Sequence, residues 1–370
     1  MVMNGISRET LVALHETNGI GWQSIHKLWV NRCEQPIAPG MREGDLRVCG
    51  LLPKQAAAAA ISLREERIEQ RMRQLERDGI GVLTIADPGY PSQLRAIKDP
   101  PHVLYYRGRL ELAARPAIAI VGTRLATAYG RHVTETFAAA FADRGFAVVS
   151  GMARGIDACA HRAALHRAGG TAAVLGMPVD CIYPPENRDL YERIWEHGLL
   201  LSEAPPGAPY HTGMFPARNR IIAGLSLGVV IAEAPDSSGA LITAERAIDQ
   251  ERDVYVIPGP VTSPRSRGAL RLLAEGTAAA ALGPEDVMKP YLHLLGQADE
   301  SAVESGDDFE TTELTSDERR IYELLLDAPH TAEELASATQ LPIGQLHAGL
   351  ISLQVKRKVQ LLPGSAYGIL

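Results

Sequence analysis

Residues 117–157 read AIAIVGTRLATAYGRHVTETFAAAFADRGFAVVSGMARGID, and this stretch decides the fold. A short apolar run that leads into a glycine lies near each end, and a segment with helical spacing joins the two runs. Similar runs recur along the chain, at 117–121, 146–149, 171–175, 199–201, 228–231 and 254–257. Fully apolar strands that alternate with helices are typical of a parallel sheet covered on both faces. The sequence therefore predicts an α/β fold built on an extended Rossmann-like, doubly wound parallel sheet.

The residues before this core predict a helical domain. Helical spacing over 7–29 is interrupted at Asn18–Gly21, which indicates a domain of the SAM or helix-hairpin-helix type. Such hairpins hold DNA phosphates in some proteins and serve only as packing units in others, and the sequence leaves both roles open. Two short apolar runs, 81–85 and 102–106, then predict an entry hairpin or edge strands.

The residues after the core predict a linker and a winged helix. Residues 296–318 are acidic and contain no Lys or Arg, which is typical of a flexible linker. Three helical segments and a hairpin follow, but the third segment offers no Arg or Lys before Lys356. This favours a protein-contact or regulatory module over a reader of duplex DNA. The predicted domains are an N-terminal helical domain at 1–78, the extended Rossmann-like domain at 79–290, an acidic linker at 291–315 and a winged helix at 316–370.

Composition excludes several classes of protein. Of the 370 residues, 46% are hydrophobic and 22% are charged, which is typical of a globular protein and not of a disordered chain. No apolar run is long enough for a membrane helix and the first residues lack a secretory pattern, so we expect a cytoplasmic protein without membrane contact. The four cysteines are scattered, which predicts buried thiols rather than a zinc site or a redox dithiol. The net charge of −7 argues against a global positive field for nucleic acid but is compatible with a local basic groove.

The loops that follow the predicted strands carry the candidate chemistry. Neither the G-x-G-x-x-G fingerprint nor a Walker A sequence follows the first strand, so we expect no NAD, FAD or ATP cofactor. Instead the loops combine small residues with Arg, and the carboxyl ends of parallel strands meet at one edge of a sheet. The pattern predicts an extended anion-binding groove in which Arg218, Asn219 and Arg220 converge at a helix start. The candidate phosphate-binding residues are Gly122, Thr123, Arg124, Ser150, Gly151, Arg154, Gly155, Phe215, Arg218, Asn219, Arg220, Ser238, Gly239 and Thr243.

Asp157 and His161 lie four residues apart on a predicted helix. This spacing is compatible with a metal site or an acid–base pair. The interpretation we favour is structural, with Asp157 capping or pairing locally and His161 packing under the loop. We therefore predict neither a metal nor a catalytic residue.

In their order along the chain, these segments resemble the DprA (Smf) family of DNA-processing proteins. The motifs that carry the resemblance are Tyr90–Pro91 to Leu94, Asp99–Pro101 with Tyr105 and Gly108, Val121–Arg124, Ser150–Gly151 with Arg154–Asp157, Ala160–His161, Gly169–Thr171, Tyr183–Pro184 with Glu186–Asn187, Ser202–Glu203, Phe215–Ser226, Ser238–Gly239 with Leu241–Ala244, and Pro258–Gly259.

The resemblance implies a protein that binds single-stranded DNA without catalysis. It further implies a homodimer that protects incoming DNA in natural transformation and loads a RecA-type recombinase, with single-strand-binding protein as a further partner. By matching motif, Arg124 and the segment Arg218–Arg220 would hold phosphates, and the loops at Ser150–Gly151 and Ser238–Gly239 would line the same groove. Bases would find few stacking partners, with Tyr183, Tyr210 and Phe215 the aromatic candidates nearby.

The chain departs from the family pattern at a few positions. Pro178 stands where the family usually has Gly, Ala240 replaces a Ser and Leu270 replaces an Asn. The loss of a hydroxyl at Ala240 removes one potential phosphate contact, while the other two changes concern local loop shape.

Other functions remain open on the sequence alone. A nucleotide-processing enzyme of the phosphoribohydrolase type would use a catalytic Glu in a P-G-G-x-G-T-x-x-E loop, and Glu245 lies in a comparable place without the glycine-rich run. A winged-helix transcription factor is a weaker alternative, because the third helical segment lacks basic residues.

Overall fold

The computed structural model describes residues 6–295 and 315–369 apart from short gaps. The residues outside the description are 1–5, 31–36, 296–314, 328–329, 340, 343–344, 347–348, 351, 354–357, 363–365 and 370. The chain divides into two compact units, Met1–Gly296 and Gln297–Leu370. Most of the predicted acidic linker falls outside the described residues, although 291–295 belong to a 3₁₀ turn in which Tyr291 is buried.

A nine-stranded sheet forms the centre of the first unit. Its strands are β1 (Gly81–Thr84), β2 (Val103–Gly108), β3 (Ala117–Val121), β4 (Ala147–Ser150), β5 (Thr171–Leu175), β6 (Leu199–Ser202), β7 (Gly228–Ile231), β8 (Asp253–Val256) and β9 (Ala279–Ala280). The spatial order is β1-β2-β6-β5-β4-β3-β7-β8-β9. All pairs from β6 to β9 are parallel, and β1 and β2 add an antiparallel edge. The predicted doubly wound sheet is confirmed.

The order of the strands fixes where a ligand can bind. From β3 the chain moves outward through β4, β5 and β6, and then returns to place β7 on the other side of β3. The loops after β3 and β7 therefore diverge and leave a crevice at the carboxyl ends of the strands.

Helices pack on both faces of this sheet. They are α1 (Arg8–His15), α2 (Trp22–Val30), α3 (Glu43–Val48), α4 (Pro53–Ser62), α5 (Glu65–Arg77), α6 (Ser92–Arg95), α7 (Ala128–Asp143), α8 (Ile156–Ala164), α9 (Arg188–His197), α10 (Met214–Leu225), α11 (Gly239–Asp249), α12 (Arg267–Ala274) and α13 (Pro284–Met288). Successive side chains of a strand point to opposite faces, so Ala119 and Val121 join one buried cluster while Ile118 and Ile120 join the other.

The helices of the predicted N-terminal domain share their core with the sheet. Leu11 and Leu14 of α1 belong to the same buried cluster as Val103 of β2. Polar contacts also cross this boundary, because Arg71 donates to both carboxylate oxygens of Glu16 and the hydroxyl of Tyr105 donates to Glu16 Oε1 at 2.9 Å. The region 1–78 is thus attached to the sheet by both apolar and charged groups.

The second unit contains a small sheet and described parts of three predicted helical segments. Its elements are β10 (His330–Thr331), β11 (Val359–Leu362), β12 (Ala366–Ile369), α14 (Ser316–Asp327) and α15 (Ala332–Thr339), and its sheet has the order β10-β12-β11. Thr331 and Glu334 form a reciprocal capping box at the start of α15, with Glu334 accepting from the Thr331 N–H at 2.8 Å. The third predicted segment, 342–353, lies partly outside the described residues.

The cysteines differ from the prediction of scattered free thiols. Cys49 is disulfide-bonded, while Cys159 is a buried free thiol and Cys181 a partly exposed one. In the part of the chain that is described, no helix combines the length and the apolar character needed to span a membrane.

We expect His161 of α8 to make stability depend on pH. The ring is fully buried, with Nδ1 2.7 Å from Thr171 Oγ1, and burial, together with the nearby cations Arg218 and Arg162, lowers the pKa of His161 to about 3. The unfolded chain, with an ordinary pKa of about 6.5, binds this proton more readily, so the stability present above that pH is lost as the pH falls.

Between pH 7 and pH 5 this group should lower the free energy of unfolding by up to about 2 kcal/mol. Urea unfolding at both pH values measures the loss, which should be smaller in His161→Gln. An equal loss in the wild type and the variant would contradict the assignment.

Candidate functional site

Two adjoining cavities occupy the crevice at the carboxyl ends of the strands. The larger, of about 520 Å³, lies between the loops after β3 and β7 and the first turns of α10 and α11. The smaller lies between the loops after β4 and β5 and the segment around Tyr183. Both linings include Arg124, Phe215 and Arg218, so the cavities share part of their walls, and we call them together the switch-point groove.

Most of the candidate residues line this groove. Gly122, Thr123, Arg124, Phe215, Arg218, Asn219, Ser238, Gly239 and Thr243 line the larger cavity, and Arg124, Gly151, Arg154, Phe215 and Arg218 line the smaller one. Three candidates, Ser150, Gly155 and Arg220, line neither.

Ser150 and Gly155 support the groove from behind. The buried hydroxyl of Ser150 donates to the carbonyl of Ile120 at 2.6 Å, which joins the ends of β4 and β3. Gly155 has a φ of +78°, and a Cβ at this position would lie 2.3 Å from the carbonyl oxygen of Thr123. Only glycine combines this backbone conformation with so close an approach of the two loops.

Arg124 presents an unopposed charge to the groove. The residue is exposed, and within the described ranges its guanidinium takes part in no ion pair and no side-chain hydrogen bond. Its neighbour Thr123 is tied down, because the Thr123 N–H donates to the carbonyl of Glu233 at 2.7 Å and the Thr123 carbonyl accepts from the N–H of Ile156. The backbone is therefore fixed while the cationic side chain remains available.

Arg218 is a buried cation beneath the groove. It donates from Nη1 to the carbonyl of Gly151 at 2.8 Å and to that of Val174, and from Nε to Asn219 Oδ1 at 3.2 Å. Burial lowers the pKa of Arg218 to about 10, against the opposing influence of Asp157, so the side chain stays charged at neutral pH. The Nε and Nη1 groups of Arg218 donate to other groups of the protein, and its positive charge lies beneath the floor of the groove.

The structure corrects the expectation for Arg220. Helix α10 begins at Met214, so Arg218 and Arg220 lie in the second turn and not at the helix start. Residues two positions apart on a helix face different directions. Arg220 points away from the groove and donates to Asp99 Oδ2 at 3.1 Å and Glu203 Oε1 at 2.8 Å. It therefore links three segments of the fold and lines neither cavity.

Asp157 and His161 have the structural surroundings that the sequence analysis favoured. Asp157 Oδ2 accepts from the N–H of Ala153 at 3.3 Å, and burial raises the pKa of this carboxyl while Arg218 opposes the rise. His161 contacts Thr171 through Nδ1. Among the described residues there is no group of three or more His, Cys, Asp or Glu side chains that could hold a metal ion.

Glu186 and Asn187, which the sequence predicted only as part of a family motif, contact the loop after β4. The buried amide of Asn187 donates to the carbonyl of Met152 at 2.9 Å, and Met152 has a φ of +59°, a strained value for a residue with a side chain. Glu186 Oε1 accepts from Arg154 Nη1 at 3.1 Å. The sequence showed the pair, but only the fold brings it to the loop after β4.

Three aromatic rings extend the groove at the smaller cavity. The ring centroid of Phe215 lies 5.2 Å from that of Tyr183 and 6.2 Å from that of Tyr210. Tyr183 and Tyr210 are 44% and 57% exposed, so ring faces remain accessible for stacking.

Glu245, the position considered for a catalytic carboxylate, is exposed on α11 and lines neither cavity. The carboxylate that does belong to the lining is Asp157, which is engaged with backbone N–H groups.

Comparison with known proteins gives matches over most of the chain. A profile described as DNA recombination-mediator protein A matches residues 81–291, and one described as the DprA winged helix domain matches 307–365. Protein Smf of Synechocystis is 39% identical over 319 residues, which cover 77% of this chain and 79% of the relative. The DNA processing protein DprA of Streptococcus pneumoniae is 42% identical over 208 residues, which cover 56% of this chain and 73% of the relative.

Solved structures agree with these matches. The X-ray structure of DprA from Streptococcus pneumoniae superposes with a TM-score of 0.67 at 34% identity and covers 76% of this chain and 97% of that one. A structure of DNA processing protein A from Helicobacter pylori, described in terms of its single-stranded DNA binding mode, superposes with a TM-score of 0.53 at 32% identity and covers 58% of this chain and 96% of that one.

We expect Arg220→Ala to destabilise the fold. The substitution leaves the carboxylates of Asp99 and Glu203 without their cation, and it should lower the free energy of unfolding by about 1–3 kcal/mol. Urea unfolding measures the loss. Arg246→Ala is the control, because Arg246 forms an exposed pair with Asp249 at 3.4 Å, and removal of such a pair should cost less than about 1 kcal/mol. Equal stability of the two variants would contradict the structural role of Arg220.

Proposed function

The chain belongs to the DNA recombination-mediator protein A (DprA) family, and from this premise we propose that it binds single-stranded DNA in the switch-point groove. On this proposal the protein protects the bound strand, displaces single-strand-binding protein and loads a RecA-type recombinase during natural transformation. It acts as a homodimer in the cytoplasm, without catalysis and without a cofactor.

The observation that carries the proposal is the position of Arg124. Its exposed guanidinium is common to both cavities and has no carboxylate partner among the described residues. Arg218 adds a buried positive charge below it. A phosphate at this point would meet a donor geometry that suits it and would not have to break an existing ion pair of Arg124.

The extent of the groove supports a strand as the ligand. Candidate phosphate positions at the loop of Arg154 after β4, at Arg124 after β3 and at the start of α11 after β7 follow one another along the sheet edge, whereas a mononucleotide needs only one or two of them. The rings of Tyr183, Tyr210 and Phe215 suit unpaired bases, whose faces a duplex would hide. Phosphate contacts dominate this arrangement, so binding should tolerate different sequences and weaken steeply with salt.

The test of this proposal is the substitution Arg124→Ala. It should weaken binding of labelled oligo-dT by about 1–3 kcal/mol, the loss expected for a charge-assisted phosphate contact. Fluorescence anisotropy with oligo-dT and a matched duplex, over a salt series, measures the affinity and the preference for the single strand. Arg73→Ala removes the same charge from an exposed position on α5 that does not line the groove, and it should leave the affinity unchanged. If Arg124→Ala behaves like Arg73→Ala, the groove is not the binding site.

The winged helix should not be required for binding of the single strand. The groove is formed entirely by residues of the first unit, so deletion of 315–370 should leave the affinity for oligo-dT largely unchanged. The same anisotropy assay measures this. A collapse of affinity in the truncated protein would make the winged helix the principal DNA site.

A further inference from the structure

Two arginines of the switch-point groove differ in their ion pairing. Arg124 has no ion-pair partner within the described ranges, whereas the Nη1 of Arg154 donates to Glu186 Oε1 at 3.1 Å. The side chains of Arg154 and Glu186 are 58% and 57% exposed, so the pair lies in contact with solvent. Arg154 lines the smaller cavity together with Arg124. The carboxylate of Glu186 is therefore paired with one of the cations that line the groove.

The backbone brings the two partners together from distant parts of the chain. Arg154 follows the strained turn at Met152, and Glu186 belongs to the 3₁₀ turn Pro185–Asn187. Asn187 fastens these two segments to each other, because its amide donates to the carbonyl of Met152 at 2.9 Å and approaches that of Ala153 at 3.4 Å. Asn187 therefore keeps the backbones of the two segments close enough for this contact, while the two side chains themselves remain exposed.

From this arrangement we propose that Glu186 is a competing carboxylate, which pairs with Arg154 in the free protein and is displaced by a phosphate of the bound strand. The inference rests on the proposed function and adds a residue that sets its affinity. In the free protein Arg154 is paired with Glu186 and becomes available to a phosphate only when this pair breaks, whereas Arg124 is available from the start.

The relative strengths of the two pairs support the exchange. An exposed ion pair contributes about 0–1 kcal/mol, because solvent screens it and side-chain freedom is lost. A bidentate contact between Arg and phosphate is stronger and geometrically better matched. A phosphate should thus displace Glu186, although the displaced carboxylate then lies beside a like charge and reduces the net gain.

The competing carboxylate acts on a strand that uses both cations and not on a single anion bound at Arg124. A ligand with one phosphate can bind at Arg124 and leave the Arg154–Glu186 pair intact. A strand places a second phosphate within the same groove and can take over Arg154 as well. Glu186 thereby opposes occupancy of the second position, which weakens the binding of a strand and leaves the binding of a single anion at Arg124 unchanged.

The substitution Glu186→Gln tests the proposal. It removes the competing charge and keeps the shape of the side chain, so it should tighten binding of labelled oligo-dT about two- to fivefold, the range given by the loss of an exposed pair. Displacement of oligo-dT by thymidine monophosphate, corrected for the tighter binding of the oligonucleotide, should give an unchanged affinity for the mononucleotide. Glu192→Gln is the matched control, because Glu192 forms an exposed pair with Arg188 at 3.8 Å on α9 and does not line the groove.

The Arg154→Ala background identifies the pathway of the effect. In Arg154→Ala the dependence of log affinity on log salt should become shallower by about 0.7, the contribution of one phosphate contact in single-stranded DNA. Adding Glu186→Gln to this variant should give a smaller gain than it gives in the wild type, since no cation is left to release.

The outcomes separate this proposal from the proposed function. If the wild type binds oligo-dT and Arg124→Ala loses affinity, but Glu186→Gln binds equally or more weakly, Glu186 is not a competitor and the inference is overturned. If Glu186→Gln tightens binding of thymidine monophosphate as much as that of oligo-dT, Glu186 does not act through the second phosphate position, and the inference is overturned. If the wild type binds no oligo-dT, or Arg124→Ala has no effect, it is the proposed function that fails.

Discussion

The buried guanidinium of Arg218 is the interaction on which the groove depends. It donates to the carbonyl of Gly151, just after β4, and to that of Val174, near the end of β5, and so it joins the carboxyl ends of two neighbouring parallel strands. Gly151 makes this possible, because a Cβ at that position would lie 2.7 Å from Arg218 Nη2 and 2.8 Å from Asp157 Oδ2. The same cation thus shapes the floor of the groove and contributes its charge to it.

The loops above this floor are tied to each other by their backbones. The Thr123 carbonyl accepts from Ile156, the Thr123 N–H donates to Glu233, and Gly155 permits the close approach that these bonds need. Such ties place the exposed side chains of Arg124 and Arg154 on fixed supports. Preorganised supports matter for a phosphate-binding surface, because less ordering of the protein then opposes binding.

The strands of the sheet and the region of the site could be predicted from the sequence, but the direction in which each side chain points could not. Buried parallel strands are nearly all apolar, so β3, β4, β5 and β7 could be recognised from short runs of residues. The sequence pattern puts Arg218, Asn219 and Arg220 at a helix start, whereas α10 begins at Met214, and for this reason the orientation of Arg220 was not predicted. A signal was available, since Arg218 and Arg220 are two residues apart and cannot share a helix face. The contact of Glu186 with Arg154 had no local signal, because it depends on how two distant loops meet.

The distribution of ion pairs explains how a chain with a net charge of −7 can offer a site for a polyanion. Arg220 is neutralised by Asp99 and Glu203, Arg154 is held by Glu186, and Arg267 and Arg271 both approach Asp236. Pairing of this kind removes the long-range field that would attract any anion, and at physiological salt little of such a field extends beyond about 8 Å. Among the described residues that line the groove, the cations without a carboxylate ion pair are Arg124 and the carbonyl-bound Arg218. Selectivity then comes from donors that a strand must reach at close contact, and a strand gains a further contact where one of its phosphates replaces the carboxylate of Glu186 at Arg154.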